Sequence, residues 1–323
     1  MELLWEAAEP GRVLAERFGF TSAGMAAAWV AAVLAEHWDL PVVACRRLVL
    51  SGSNALAWVE TGSASLVVKW SVEPSRFPRL RQLARLTGWL AEQRLPVSGL
   101  MPARDGSRQL ELDGASLGVQ YEIDGDLLDV GDPAQVRAAG AVLAELQLAL
   151  AGYPDAGEFT GPAAAGSLVV RLRDWLEPRA SRLAPEVVDN LRSVLDLAPA
   201  AAPAPQLTHG DFRAANLMCS GGSIRAVLDF EQAGFEPRIV ELARSAVLLG
   251  TRFHDWGPVS PAVSAEFRAG YESVRPLTDA EAAWWRPLRR WHSWAMVSPG
   301  ADPTGWAAAA RELNREPGPA SGG

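Results

Sequence analysis

Strand-like and helix-like patterns do not alternate along this chain. They are segregated, and that order limits the fold class more than any other feature of the sequence. Between Arg46 and Ile123 short apolar runs are broken by turn residues. Leu48-Val49-Leu50 leads into the small-residue turn Ser51-Gly52-Ser53-Asn54, a run from Ala55 to Glu60 follows, and Thr61-Gly62-Ser63 turns the chain into Leu66-Val67-Val68-Lys69-Trp70. The spacing then predicts one helix over 76–93, stopped at Leu95-Pro96 because the residue before a proline resists helical geometry. Two more strands meet at Asp113-Gly114, a dipeptide suited to a tight hairpin, and alternation runs through Leu117, Val119, Tyr121 and Ile123. Clustered strands with one helix, followed by helices alone, describe an α+β chain with a small antiparallel sheet.

Outside that stretch the periodicity is helical. Thr21 or Ser22 can cap a first helix in which Met25, Trp29, Val30, Val33 and Leu34 fall on one face. A helix over 133–150 is apolar all round, the mark of a buried helix. Two helical stretches lie within 166–197, a Pro/Ala spacer covers 198–205, and helices follow over 237–249, 261–274, 278–296 and 304–314. The tail, 316–323, has a disordered composition. At 323 residues the chain is long enough for two lobes. The expected boundaries are 1–122 for a lobe with an extra N-terminal helix, 123–315 for a helical lobe, and 316–323 for the tail.

Composition removes several function classes. A net charge of −8 argues against nucleic acid as a partner. The two cysteines, Cys45 and Cys219, make neither a disulfide framework nor a metal set, which points to a reducing, cytoplasmic setting. The N-terminus lacks a basic, apolar leader, and the apolar stretch 23–35 is too short to span a bilayer, so a soluble protein with no membrane partner is expected. The four histidines, His37, His209, His254 and His292, are not spaced as a zinc site.

The chemistry concentrates in a few residues. Of thirty basic side chains one is a lysine, Lys69, set within an apolar strand where a charge needs a reason to be. Arginine replaces lysine readily as a solvated charge but not where a compact ammonium is required. Further on, Leu207-Thr208-His209-Gly210-Asp211-Phe212-Arg213-Ala214-Ala215-Asn216 and Ala226-Val227-Leu228-Asp229-Phe230-Glu231 are apolar runs broken by polar residues, with Gly221-Gly222 turning between them. A hairpin would bring Asn216 and Asp229 together. An amide oxygen and a carboxylate are hard ligands, suited to a Mg2+ that keeps waters and binds phosphates. Asp211 would then lie opposite, where it can accept a proton from an attacking hydroxyl.

These residues carry a resemblance. His-Gly-Asp-x-x-x-x-Asn at 209–216, followed by Leu-Asp-Phe-Glu at 228–231, resembles the catalytic loop and metal segment of the aminoglycoside phosphotransferase and choline kinase-like family. The resemblance implies a two-lobed protein-kinase-like fold, with a small antiparallel-sheet N-lobe, a larger mostly helical C-lobe, and ATP and Mg2+ in the cleft. It implies that Lys69 binds the α/β-phosphates, that Ser51, Gly52 and Ser53 cover them, and that Gln120, Glu122 and Ile123 belong to a hinge that meets the nucleotide. Asp211 would be the catalytic base, Arg213 would neutralise the transferring phosphoryl group, and Asn216 and Asp229 would hold Mg2+. The acceptor would be a small-molecule hydroxyl, in the first instance an antibiotic. A metabolite such as homoserine, choline, a sugar or a nucleoside is the alternative, and a catalytically silent ligand-binding protein is another.

The chain also departs from the family pattern. The loop at Gly52 is not a full Gly-x-Gly-x-x-Gly. The helix after Lys69 reads Arg81-Gln82-Leu83-Ala84-Arg85 where a glutamate partner for the lysine is usual; Glu73 comes too early and Glu92 late. Gln147 stands where histidine is frequent, and Glu241-Leu242-Ala243 resembles an Asp-Leu-Ala that supports the catalytic loop.

Several residues carry two readings. Arg213 can serve a phosphoryl group or pair with a carboxylate. His209 can be a ligand or phosphoryl acceptor, or a core histidine holding its loop, whereas Cys219 reads as core. Asp124, Asp126, Asp129 and Asp132 can attract a cationic substrate, or supply turns and a helix cap. Trp284, Trp285, Trp291 and Trp294 can wall a site or fill a core, and Arg252-Phe253-His254-Asp255-Trp256 is a candidate acceptor loop.

Overall fold

The computed structural model describes residues 1–3, 8–159, 167–199, 201–298, 300 and 302–315. They fall into two units, Met1–Asp124 and Gly125–Gly323. The tail expected at 316–323 lies outside the described residues.

In the first unit the segments are β1 (Glu2–Leu3), α1 (Pro10–Phe18), α2 (Ala23–Trp38), β2 (Val42–Leu50), β3 (Asn54–Thr61), β4 (Ser65–Ser71), α3 (Phe77–Glu92), β5 (Leu110–Leu112) and β6 (Ala115–Tyr121). They form a six-stranded sheet in the order β1-β2-β3-β4-β6-β5, antiparallel except for the short β1–β2 pair. The β5–β6 turn has Asp113 at φ 52° and Gly114 at φ 75°, the left-handed pair that a two-residue hairpin requires. Strand alternation assigns the faces. Leu66, Val68 and Trp70 of β4 are buried with Ala55, Ala57, Val59, Leu117 and Val119, beneath Leu14, Phe18, Val30 and Leu34 of α1 and α2. Lys69 therefore belongs to the opposite face, paired in register with Leu56 of β3 and Gly118 of β6.

Three details differ from the sequence reading. α1 was not expected; it spans only nine residues, although Pro10 at its start and Gly19 at φ 78° after its end mark its limits. β2 begins at Val42 rather than Arg46. Met25 is 51 % exposed, and the inward face of α2 is Ala26, Val30, Val33, Leu34 and Trp38. That helix is rich in alanine and apolar nearly all round, so its sequence leaves its rotation about its own axis open. Its cap is Ser22, whose hydroxyl accepts from Met25 N at 3.2 Å.

The second unit contains β7 (Asp126–Leu127), α4 (Pro133–Ala151), α5 (Leu168–Leu176), α6 (Pro185–Asp196), β8 (Pro205–Thr208), β9 (Leu217–Ser220), β10 (Ser223–Val227), β11 (Gly234–Pro237), α7 (Arg238–Leu248), α8 (Pro261–Glu272), α9 (Asp279–Ala295) and α10 (Trp306–Arg315). Small sheets β10-β9-β7 and β11-β8 carry the polar loops, and helices supply the bulk. Trp284, Trp285, Trp291 and Trp294 all lie in α9 and are buried, so they pack the core. The α+β class expected from the sequence is the class observed. No single helix among the described residues is long and apolar enough to cross a membrane; α1 and α2 reach that apolarity only together, bent by 47°, and their apolar sides lie in the core of the first unit.

α4 and α8 touch backbone to backbone. A Cβ on Gly140 would stand 2.0 Å from Phe267 O, and one on Gly270 would stand 2.0 Å from Arg137 O. Neither helix can yield without unpacking, so Gly270→Ala is expected to destabilise the protein by about 3 kcal/mol. Chemical denaturation checks this against Gly62→Ala, at a site with nothing within 4 Å, which should stay close to the parent.

Candidate active site

The loop after β8 is assembled from buried contacts. His209 is fully buried, its Nε2 lies 2.8 Å from Leu228 O, and its Nδ1 accepts from Asp211 N at 3.1 Å. A neutral ring protonated at Nε2 satisfies both contacts, and edge-on packing against Phe230 completes the pocket. His209 thus occupies the core role and holds the loop. Gly210 adopts φ 89°, and its N–H donates to Glu241 Oε1 at 2.6 Å while its carbonyl accepts from Arg244. Phe212 is buried against Phe267 of α8.

These anchors present Asp211. Its Oδ1 accepts from Arg213 Nε at 2.8 Å and its Oδ2 from Asn216 Nδ2 at 2.9 Å. The side chain nonetheless stays 30 % exposed, so a substrate can still reach the carboxylate. Asn216 Nδ2 also donates to Asp211 O at 2.8 Å, which turns the amide oxygen away from Asp211. Arg213 is buried, donates from Nη1 to Thr251 O at 3.4 Å and lies 4.9 Å over the Trp256 ring. The structure thus places Arg213 against a carboxylate, and that carboxylate is Asp211.

The β9–β10 hairpin turns at Gly221-Gly222 and closes with Leu217 paired to Val227, after which Leu228 N donates to Asn216 O at 2.8 Å. Asn216 and Asp229 consequently flank its open end. Asp229 sits at φ 57° and ψ 75°, a left-handed conformation that only neighbouring structure can impose on a non-glycine residue. The donor set fits Mg2+: one amide oxygen and one carboxylate, both hard ligands, with room left for waters and phosphates. Among the described residues no three His, Cys, Asp or Glu side chains form a metal cluster.

On the first unit, Lys69 is half-buried on the face of β4 described above. The Ser51–Asn54 loop is closed by Ser51 N and Ser51 Oγ, both donating to Asn54 O at 2.8 and 3.0 Å, and Ser53 O accepts from Ser71 Oγ at 2.8 Å. Gly52 lies in that loop with nothing near its Cβ direction. Gln120 sits between Val67 of β4 and a bridge to Leu100. Glu122 donates its N–H to Ser65 O at 3.0 Å, and its carboxylate pairs with Arg46, which also binds Glu60. β6 ends at Tyr121, so Ile123 lies beyond the strand expected to include it. In α3 the first acid is Glu92, and it pairs with Arg108 at 3.2 Å.

The remaining double readings resolve by position. Asp132 caps α4 through Ala134 N and Gln135 N, and Asp129 Oδ1 accepts from Gly131 N, so both serve turns and caps. Cys219 is buried, which pushes its thiol up to about 11 and excludes an activated nucleophile. In the 252–256 loop Arg252 donates to Leu128 O, and Trp256 carries the Arg213 guanidinium while its carbonyl accepts from Trp306 Nε1 at 2.5 Å. Sequence reasoning missed Arg244, Thr251 and Tyr271; the polar Arg244 and Tyr271 within otherwise apolar helices were a signal for two of them, and the loop residue Thr251 gave none.

The fold is shared with a spectinomycin phosphotransferase solved with ADP and spectinomycin, at TM-score 0.57, over 91% of this chain and 95% of that one, although the sequences are only 12% identical. This is a kinase-like phosphotransferase fold. The chain belongs to the phosphotransferase enzyme family, whose profile matches residues 45–311. It is similar to the homoserine kinase of Gluconobacter oxydans (strain 621H), with 34% identity over 149 residues, which are 45% of this chain and 46% of that protein. It is also similar to the homoserine kinase of Phenylobacterium zucineum (strain HLK1), with 29% identity over 239 residues, 72% of this chain and 71% of that protein.

Proposed function

We propose that this protein is an ATP- and Mg2+-dependent kinase that phosphorylates a hydroxyl group of a small metabolite, with a hydroxy amino acid such as homoserine as the first acceptor to test. The observation that carries the reading is Asp211, fixed at both oxygens by Arg213 and Asn216 yet open to substrate. In the proposed reaction Asp211 orients the acceptor hydroxyl and takes its proton. The freed oxygen bonds to the γ-phosphorus as the bond from that phosphorus to the β-phosphate oxygen breaks, leaving ADP. Arg213 keeps the carboxylate aimed through its 2.8 Å hydrogen bond to Oδ1, and Asn216 and Asp229 are the residues that would hold Mg2+. When bound, the ion would neutralise phosphate charge. Lys69 would grip the α/β-phosphates, and ADP in the structurally similar spectinomycin phosphotransferase supports an adenine nucleotide.

The choice of first acceptor rests on the similarity to homoserine kinases. The test is ADP release and phosphorus NMR of the product with homoserine, choline, spectinomycin, an aminoglycoside and a macrolide as acceptors. Homoserine is expected to be phosphorylated. Phosphorylation of an antibiotic instead would restore the antibiotic reading, and nucleotide binding with no turnover on any acceptor would favour the silent protein.

Lys69→Arg is expected to lower kcat/KM for ATP about tenfold while leaving the acceptor KM within about twofold, because a planar, longer guanidinium does not take the place of a compact ammonium on a phosphate. Steady-state kinetics with each substrate varied in turn would show this. Full activity would mean that the solitary lysine serves no special purpose.

A further inference from the structure

We propose that Tyr271, Arg238 and Glu281 are positioning residues that hold the catalytic loop from a distance, through Gln147 and Glu241. The kinetic part of this proposal rests on the kinase reading above. Gly210 N–H donates to Glu241 Oε1 at 2.6 Å, and Glu241 Oε2 accepts from Gln147 Nε2 at 2.7 Å. Gln147 Oε1 accepts from the Tyr271 hydroxyl at 2.6 Å, and Tyr271 Oη accepts from Arg238 Nη1 at 2.7 Å. Arg238 closes the series in a two-bond pair with Glu281, Nε to Oε1 and Nη2 to Oε2, each at 2.5 Å. Glu281 Oε2 also accepts from Thr278 N and Oγ1, the capping box that starts α9.

Each of the five side chains is buried, so each bond is made away from competing water. From Arg238 through Tyr271 and Gln147 the donors run toward Glu241, whose second oxygen accepts from Gly210 N–H on the other side. Gln147 must offer its NH2 to Glu241, which is acceptor-only, and its oxygen therefore requires the Tyr271 proton. Burial holds that phenol above its ordinary pKa, so it keeps the proton. Loss of one link leaves the next group without its partner at low dielectric, and the loss propagates toward Gly210. The geometry also explains the glycine contact between α4 and α8. Gly270 adjoins Tyr271, and its lack of a side chain lets α8 approach closely enough for the phenol to reach Gln147.

The test uses Tyr271→Phe, Gln147→Leu and the double variant, since removing Arg238 or Glu281 would strand a buried charge and threaten folding. Each single variant is expected to lose about tenfold in kcat with the KM for ATP within about twofold, and the double variant to lose no more than the larger single loss, because both break one series. Independently of activity, the Gly210 amide proton should shift upfield and exchange about tenfold faster with solvent in both singles. Multiplicative kcat losses, or an unmoved Gly210 amide in folded variants, would overturn the proposal. If the parent protein turns over no acceptor, the kinase reading fails while the Gly210 amide still decides this one.

Discussion

Asp211→Asn is expected to reduce turnover about a thousandfold, in the range ascribed to a lost general base, while binding of a non-hydrolysable ATP analogue stays within a few-fold of the parent. The physical case is more than the loss of a base. Both carboxylate oxygens are acceptors, one from Arg213 Nε and the other from Asn216 Nδ2. An amide accepts at one atom only, so its NH2 must face one of those two donors and repel it. If it faces Asn216, that amide turns and the proposed Mg2+ ligand moves with it; if it faces Arg213, the guanidinium loses its buried partner. Rapid-quench kinetics and calorimetry on the same preparation separate transfer from binding. Ordinary turnover in the variant would sink the assignment of Asp211.

Gly210→Ala is expected to be nearly as damaging, by an unrelated route. Gly210 sits at φ 89°, and a Cβ there would lie 2.1 Å from Gln232 O. The backbone conformation alone costs a residue with a side chain about 1–3 kcal/mol, and the overlap forces the loop away from Glu241 and Arg244 as well. We expect at least about a hundredfold loss of kcat with a lowered denaturation midpoint. Gly222→Ala is the control, because Gly222 also has positive φ, 78°, but nothing within 4 Å. That variant should bear only the backbone cost and keep its activity. Equal losses in the two would mean that strain alone, and not displacement of the loop, accounts for the effect.

Much of the candidate site is legible in the sequence because its parts are local. Gly221-Gly222 sets the turn, the turn sets the pairing of Leu217 with Val227, and that pairing puts Asn216 beside Leu228 and next to Asp229. The same holds for Asp113-Gly114 and for the faces of β4, which period-2 alternation assigns without reference to anything distant. Where the sequence supported two readings, the difference lay in contacts it does not encode locally. Arg213 could serve a phosphate or a carboxylate until the 2.8 Å contact with Asp211 appeared, and the tryptophans of α9 could line a site until their burial was seen. Met25 faces outward for a related reason: on an alanine-rich helix a small rotation about the axis costs little in the pattern, so packing chose the face.

The sequence by itself determined the segregation of the main strands from the helices, the turns at Asp113-Gly114 and Gly221-Gly222, and the motif that contains Lys69, Asp211, Asn216 and Asp229, because propensity, periodicity and turn chemistry act over a few neighbouring residues. Only the tertiary structure decided how Asp211 is held. The contacts that brace its loop join Gln147 to Glu241 and to Tyr271 across 94 and 124 residues of chain. The second of these is made where α4 and α8 meet at Gly140 and Gly270, where the missing side chains let backbones touch.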